Sequence, residues 1–483
     1  YMVHRPLEAE RGLDPDSDLF SPGYFTTTLA GSETVELTAE VLPGAESPAK
    51  KTALKKIESS TAEDENDGKP FTLEKDLKLG LEHYLVKRDK FQSVIAGYPW
   101  FLDWGRDSLI VTRGLIAAGK IEEAKEILLQ FGRFEEHGTL PNMIQGEKAA
   151  NRDTADAPLW FMVAINDMLK AENSHGFLET NTDNRTIRQI IFSIGSSLII
   201  GTDHGVRMDP ESGLLFSPAH FSWMDTNYPA GTPRQGYPIE IQALWHASLS
   251  LLARFDPQKE KGPWLSLARQ VENSITRFFW LKEEGFLADC LHSQDGSPAE
   301  QAVADDALRP NQLLAITLGA VKNQDYCCQI LDACASLLVP GAIRSLADRP
   351  VRKPLAIYHH GRLLNNPDHP YQGIYQGDED SQRKVAYHNG TAWTWLFPSF
   401  SEAWALTYGR EGVETARSWL GSSSKLINQG CIGQVPEIID GDYPHRQRGC
   451  DAQAWGVSEL LRVIILLNEK NFIANHGKQV KLK

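Results

Sequence analysis

"KIEEAKEILLQF", residues 120–131, sets the character of this chain. Its apolar residues Ile121, Ala124, Ile127, Leu128 and Phe131 recur at the three-and-four spacing of an α-helix with one buried face. The same period returns in Ile241, Leu244, Trp245 and Leu252, and in Ala268, Val271, Ile275, Phe278 and Phe279. It returns a last time in Trp455, Leu460, Leu461, Ile464 and Ile465. Between these stretches run long connections, 136–158, 205–238, 285–308, 340–390 and 428–452, rich in Gly, Pro, Asp and aromatics. They exceed the usual connection length, which marks them as functional segments. About ten to twelve helices with alternating short and long connections predict an all-α fold of paired helices, one set of loop ends building a site.

The first residues read differently. "FSPGYFTTTL" (20–29) and "GSETVELTAEV" (31–41) have the turn signals and alternation of strands. Residues 1–42 are therefore expected to be the C-terminal part, a remnant, of an N-terminal β domain. Residues 43–70 are polar, charged and free of aromatics, as in a linker. Residues 71–483 form the helical domain.

The 483 residues are 41% hydrophobic and carry a formal charge of −14. That acidity argues against nucleic acid, whose phosphates require a basic partner. No apolar run approaches the roughly 20 residues of a membrane span, and no signal-peptide pattern opens the chain. A cytoplasmic protein without a membrane or nucleic-acid partner is expected. The six cysteines show no C-x-x-C pair and no zinc spacing, and Cys327 and Cys334 share one helical face. No metal or cofactor is expected. "GLIAAGKI" (114–121) nearly matches a phosphate-binding loop but lacks its final Ser/Thr, and Gly119 reads better as a helix terminator. His359 and His360 are adjacent and cannot share a helix face as metal ligands. Ser108 lacks a Gly-x-Ser-x-Gly elbow.

Five connecting segments share Trp, a carboxylate, Arg or His, and Gly: "FLDWGRDSLI" (101–110), "RDTADAPLWF" (152–161), "FSWMDTNYPAGTPRQGYPIEIQALW" (221–245), "AYHNGTAWTW" (386–395) and "GQVPEIIDGDYPHRQRGCDAQAWGVSELLR" (433–462). Taken alone, the first could be a helix entry with Asp103 as its cap and a local Arg106–Asp107 pair. Five together point to a ligand with flat apolar faces and many hydroxyls, a sugar, because so many buried polar groups need a polar partner. Glycoside hydrolysis requires two carboxyl groups, an acid and a base or nucleophile. Asp225 follows Phe221, Trp223 and Met224, an apolar setting that would keep it protonated. Glu437 follows Pro436 in a loop opened by Gly433, where it would stay ionised and hold a water. Asp225 as a turn residue and Glu437 as a solvent carboxylate are the competing readings. Asp107, Asp156 and Glu240 are further candidates by composition.

These segments, with "LRPNQ" (308–312), resemble the amylo-α-1,6-glucosidase domain of glycogen debranching enzymes, bacterial and archaeal type, in order from about residue 75 to 465. The resemblance implies an (α/α)6 barrel and hydrolysis of α-1,6-glucosidic branches in glycogen or a related glucan, by inversion. It implies Asp225 as general acid and Glu437 as general base. Trp104, Arg106 and Asp107 match a Trp-Gly-Arg-Asp element similar to one that grips the nonreducing glucose in glucoamylases. Asp156, Trp223, Arg234, Glu240, Gln242, His388 and Trp455 fall in matching motifs and are expected to bind substrate. Trp104 would be a stacking plate and Arg106–Asp107 a hydroxyl clamp. Asn389 and Thr394 depart from the Gln and Pro common in bacterial relatives, which would reshape a subsite rim. No counterpart of the eukaryotic 4-α-glucanotransferase half is seen. The alternatives are a glucoamylase-like or trehalase-like (α/α)6 hydrolase, or a non-catalytic glucan-binding protein.

Overall fold

The computed structural model describes residues 73–469 apart from 146–147, 227–231, 233, 258–261, 295 and 428, together with 2–4, 16–18, 26–31 and 33–35. The chain divides into two compact units, Tyr1–Thr72 and Leu73–Lys483. In the first unit, Met2–His4 pairs antiparallel with Asp16–Asp18. The described parts of the two expected strands, 26–31 and 33–35, hold a turn and irregular backbone, with Leu29 and Val35 exposed. The remainder of those strands and the 43–70 linker lie outside the described residues.

In the second unit the helices follow one another in pairs. They begin with α1 (Leu73–Glu82) and α2 (Gly105–Ala117), α3 (Ile121–Gly132) and α4 (Ala157–Ala171), α5 (Ile187–Ile200) and α6 (Ile239–Phe255). They continue with α7 (Trp264–Ser274) and α8 (Leu313–Thr317), α9 (Gln324–Ala335) and α10 (Phe397–Tyr408), α11 (Arg410–Gly421) and α12 (Ala454–Asn468). The expected helices around 120–131, 241–252, 268–279 and 455–465 are all present, with Ile275–Phe279 continuing α7 as a π-turn. Cys327 and Cys334 lie on the buried face of α9. Gly119, with φ +81°, ends α2 as expected.

The pairing separates two kinds of helix. Even-numbered helices are buried around most of their circumference: every residue from Gly105 to Ile116 in α2, and from Ala454 to Val463 in α12. Odd-numbered helices bury one stripe, such as Trp264, Ala268, Val271 and Ser274 in α7, and Gly412, Val413, Ala416 and Leu420 in α11. A helix apolar on one face covers a core, whereas one buried all round lies within it. Accordingly α2 packs on α4, α4 on α6, α6 on α8, α8 on α10, α10 on α12, and α12 on α2. The odd helices lie outside: α1 on α12, α3 on α2, α5 and α7 on α6, α9 and α11 on α10. The α2–α12 contact is close because Gly114 has no side chain; a Cβ there would meet Ser458 Oγ at 2.2 Å.

Each even helix from α2 to α10 is entered through a longer connection than the one that leaves it, residues 118–120 after α2 and Gly409 alone after α10 being the shortest exits. The entering segments are joined to one another by short antiparallel pairs. Gly97–Tyr98 pairs with Ala452–Gln453, linking the entry to α2 with the entry to α12. Ala392–Trp393 pairs with Ile438–Ile439, linking the entries to α10 and α12. Gly236–Pro238 pairs with Cys290–His292. The N-terminal ends of the even helices therefore carry a braced set of loops, and the five motif-bearing segments all belong to it.

Candidate active site

Asp103 does not cap α2. Trp104 holds the N-cap position without a side-chain cap, while Asp103 accepts from Arg88 Nη2 at 2.8 Å and from Ser93 Oγ at 3.1 Å. A long-range ion pair has displaced the local cap, and its effect is to pin the segment entering α2.

Arg106 also looks beyond its neighbours. Nε donates to Asp156 Oδ2 at 2.6 Å, Nη1 to Asp225 Oδ2 at 2.8 Å and Nη2 to the Ser222 carbonyl at 3.0 Å. This three-way clasp stands in place of the local pair with Asp107 that the segment taken alone allowed. Asp156, at the start of α4, accepts a second hydrogen bond from Thr154 Oγ1 at 2.7 Å and is buried behind the guanidinium. Asp225 keeps 34% of its side-chain exposure. Burial raises its carboxyl above the ordinary carboxylate range, with Arg106 opposing and Asp156 adding to the rise. Asp107 is buried beside it. Burial pushes its carboxyl up to about 8 against the pull of Arg106, with Asp225 and Glu437 adding to the rise.

Glu437 is buried, not a solvent carboxylate. Tyr387 donates its hydroxyl to Oε1, Gln453 Nε2 donates to Oε1 at 3.3 Å, and the Cys450 backbone N–H donates to Oε2 at 2.9 Å. Donors on both oxygens favour the charged carboxylate. Tyr387 is held protonated by burial and by Glu437 itself.

Asp225 and Glu437 line the same cavity of about 100 Å³, with Trp104, Arg106, Asp107, Trp223 and Trp455 from the sequence candidates, and with Phe101, Tyr387, Trp393 and Gln453. One wall is aromatic. Trp223 stands edge-on to Trp393 at 5.0 Å and to Trp395 at 5.3 Å, and Trp395 stacks on Trp455 at 4.8 Å. Trp223 Nε1 is tied to Asn311 Oδ1 at 2.8 Å. Among the described residues, the buried Trp455 Nε1 and Gln453 Oε1 have no hydrogen-bond partner. Trp395 Nε1, behind the cavity lining, is likewise without one.

The remaining candidates are not among the residues lining this cavity. Arg234 is saturated by Asp289 (2.6 and 3.0 Å), Glu240 (2.7 Å) and Ser222 Oγ (3.2 Å), bracing the segment that carries Asp225. Gln242 binds the backbone of Leu215 and Pro238. His388 is buried between Trp223 and Trp393, and burial with Arg309 holds it neutral. A larger cavity of about 170 Å³ adjoins Arg234 and Arg309. Asn389 and Thr394 are buried, not at a rim. Asn389 accepts from Arg309 at 2.8 Å, and Thr394 Oγ1 bonds the carbonyls of Pro436 at 2.7 Å and Glu437 at 3.2 Å.

Tyr387, Trp393 and Gln453 were not singled out from sequence, although each lies within a quoted segment. Their residue types carried the signal, but nothing local tied them to a carboxylate.

The amylo-alpha-1,6-glucosidase family profile matches residues 79–462. The glycogen debranching enzyme of Saccharomyces cerevisiae is 24% identical over 66% of this chain and 26% of its own length, so the chain spans about a quarter of that protein. Among solved structures, a glycosidase variant in complex with glucose aligns with TM-score 0.56 at 12% identity, covering 82% of this chain and 96% of that one. A bacterial glucoamylase complexed with acarbose gives 0.52 at 14% identity over 85% of this chain and 58% of that one. The GH63 mannosylglycerate hydrolase of Thermus thermophilus, in complex with glucose, gives 0.51 at 14% identity over 81% and 99%. These likenesses concern the fold; the profile match spans most of the chain and every segment that builds the cavity. The chain belongs to the amylo-alpha-1,6-glucosidase family.

Proposed function

We propose that this chain hydrolyses α-1,6-glucosidic branch linkages of glycogen or a related glucan by inversion, with Asp225 as acid and Glu437 as base. The observation that carries it is the meeting of these two carboxyls, from segments 212 residues apart, on one small aromatic-walled cavity in opposite settings. Asp225 is pushed toward its protonated form, and Glu437 is surrounded by donors. That split is what acid and base require.

In the reaction, Asp225 gives its proton to the C6 oxygen of the leaving sugar as the C1–O6 bond breaks. Glu437 takes a proton from water as the new C1–O bond forms on the opposite face. Glucose leaves as the β-anomer, and proton exchange with solvent restores both carboxyls. Trp104, Asp107, Trp223 and Trp455 bind the ring, whereas Asp156, Arg234, Glu240, Gln242 and His388 act behind the wall. The cyclic order of the even helices supports an (α/α)6 barrel whose helix N-termini hold the pocket.

Proton NMR during hydrolysis of a glucosyl-branched limit dextrin is the test. β-Glucose appearing first from α-1,6 stubs is expected. First release of α-glucose would overturn inversion; preference for α-1,4 ends would transfer the chain to a glucoamylase-like activity; a flat time course would leave a glucan-binding protein.

A further inference from the structure

Arg106 does not present a free fork to the cavity. Each of its three nitrogens already donates elsewhere, Nε to Asp156, Nη1 to Asp225 and Nη2 to the Ser222 carbonyl. Asp156 is buried and held on its other oxygen by Thr154, so the guanidinium has one available orientation. We infer that Asp156 is a positioning residue which acts through Arg106 on Asp225, deciding which oxygen of Asp225 carries the acidic proton and keeping that proton in place. This rests on the reading of Asp225 as the acid.

The geometry gives the first part. Oδ2 of Asp225 accepts from Arg106 Nη1 at 2.8 Å, so in the protonated carboxyl the hydrogen resides on Oδ1. Electrostatics gives the second. A guanidinium shared between two carboxylates attracts each less than one committed to a single carboxylate, so Asp156 leaves Asp225 able to stay protonated. The charged and titratable groups facing Asp225 are Arg106 and Asp107 of α2, Asp156 at the start of α4, and Tyr387 before α10. Glu437 faces Asp107 from the α12 entry. Of these groups, Asp156 alone both touches Arg106 and stands outside the cavity wall.

The experiment compares Asp156→Asn with wild type on an α-1,6-linked glucan and on α-glucosyl fluoride, whose leaving group needs little protonation. On the glucan, kcat/KM is expected to fall about tenfold or more, and the alkaline limb of its pH profile to move acidward by about one unit, as Arg106 turns its full charge on Asp225. On the fluoride, the rate stays within about threefold. Arg106→Lys, which cannot span both carboxylates, should show the same contrast and serves if Asp156→Asn fails to fold. Equal losses on both substrates, an unmoved alkaline limb, or no loss at all would overturn the inference. If Asp225→Asn itself loses the fluoride as completely as the glucan, Asp225 is not the acid, and the underlying reading fails instead.

Discussion

Tyr387 donates its hydroxyl to Oε1 of Glu437 across 50 residues of chain. A buried phenol that stays protonated is a fixed donor, and it orients the carboxylate proposed above to activate water. Replacing Tyr387 by Phe removes a hydrogen bond to a charged group, worth about 1.5–3 kcal/mol. The expected outcome is a fall in kcat of about ten- to a hundredfold, with KM changed much less and an unaltered melting temperature within a few degrees. Steady-state kinetics beside thermal denaturation checks both parts.

Gly449 sits against the same carboxylate. A Cβ at this position would meet Glu437 Oε2 at 2.2 Å, and its φ of +66° already favours glycine. Gly449→Ala is therefore expected to displace the base and cost about a hundredfold in kcat, together with backbone strain of about 1–3 kcal/mol. Retained binding of a glucan oligosaccharide, measured calorimetrically, would locate the damage in catalysis; an undiminished kcat would show that Glu437 is not held where the chemistry needs it.

Asp107 supplies a prediction in pH. Its carboxyl is raised to about 8 in the folded state, mainly by burial, against an ordinary unfolded value of about 3.9. A raised carboxyl contributes its full stability below the unfolded value and loses it as pH climbs to the folded one, because the unfolded chain releases the proton first. Asp107→Asn lacks this titration. The variant should match or fall below wild type in melting temperature near pH 4 and gain on it steadily to pH 8. Parallel melting curves across that interval would contradict the burial argument.

Trp455 contributes a buried Nε1 with no partner among the described residues. If a sugar hydroxyl satisfies it, Trp455→Phe keeps most of the ring face and loses one hydrogen bond of about 1 kcal/mol. KM for the glucan should rise about fivefold, with kcat little changed. An unchanged KM would remove Trp455 Nε1 from substrate binding.

The extent to which the chain could be read in advance follows from range. The outer helices were legible because burial of one face imposes a period of 3.6 on neighbouring residues, and the inner ones because their large apolar residues recur at the same spacing. Residue type and loop position left Asp107, Asp156, Asp225, Glu240 and Glu437 as open candidates; the family resemblance singled out Asp225 and Glu437 and added Trp455. Asp103 was misread as a cap because its true partners, Arg88 and Ser93, leave no mark on residues 104–107. The partners of Arg106 were illegible for the same reason: they lie 50 and 119 residues away. In the expected N-terminal strands, the described residues 26–31 and 33–35 form no strand, and most of the alternating set lies outside the described residues.

By itself, then, the sequence determined the helices with their buried faces, the loops that break them, and the residue types brought to those loops. Only the tertiary structure decided that the helix N-termini share one braced set of loops, that Asp225 and Glu437 line the same cavity, and that Arg106 clasps Asp225 while Tyr387 holds Glu437. Periodicity is a one-body property that each residue reports through its own burial. A hydrogen bond between distant segments is a two-body property, and it exists only once the chain has closed on itself.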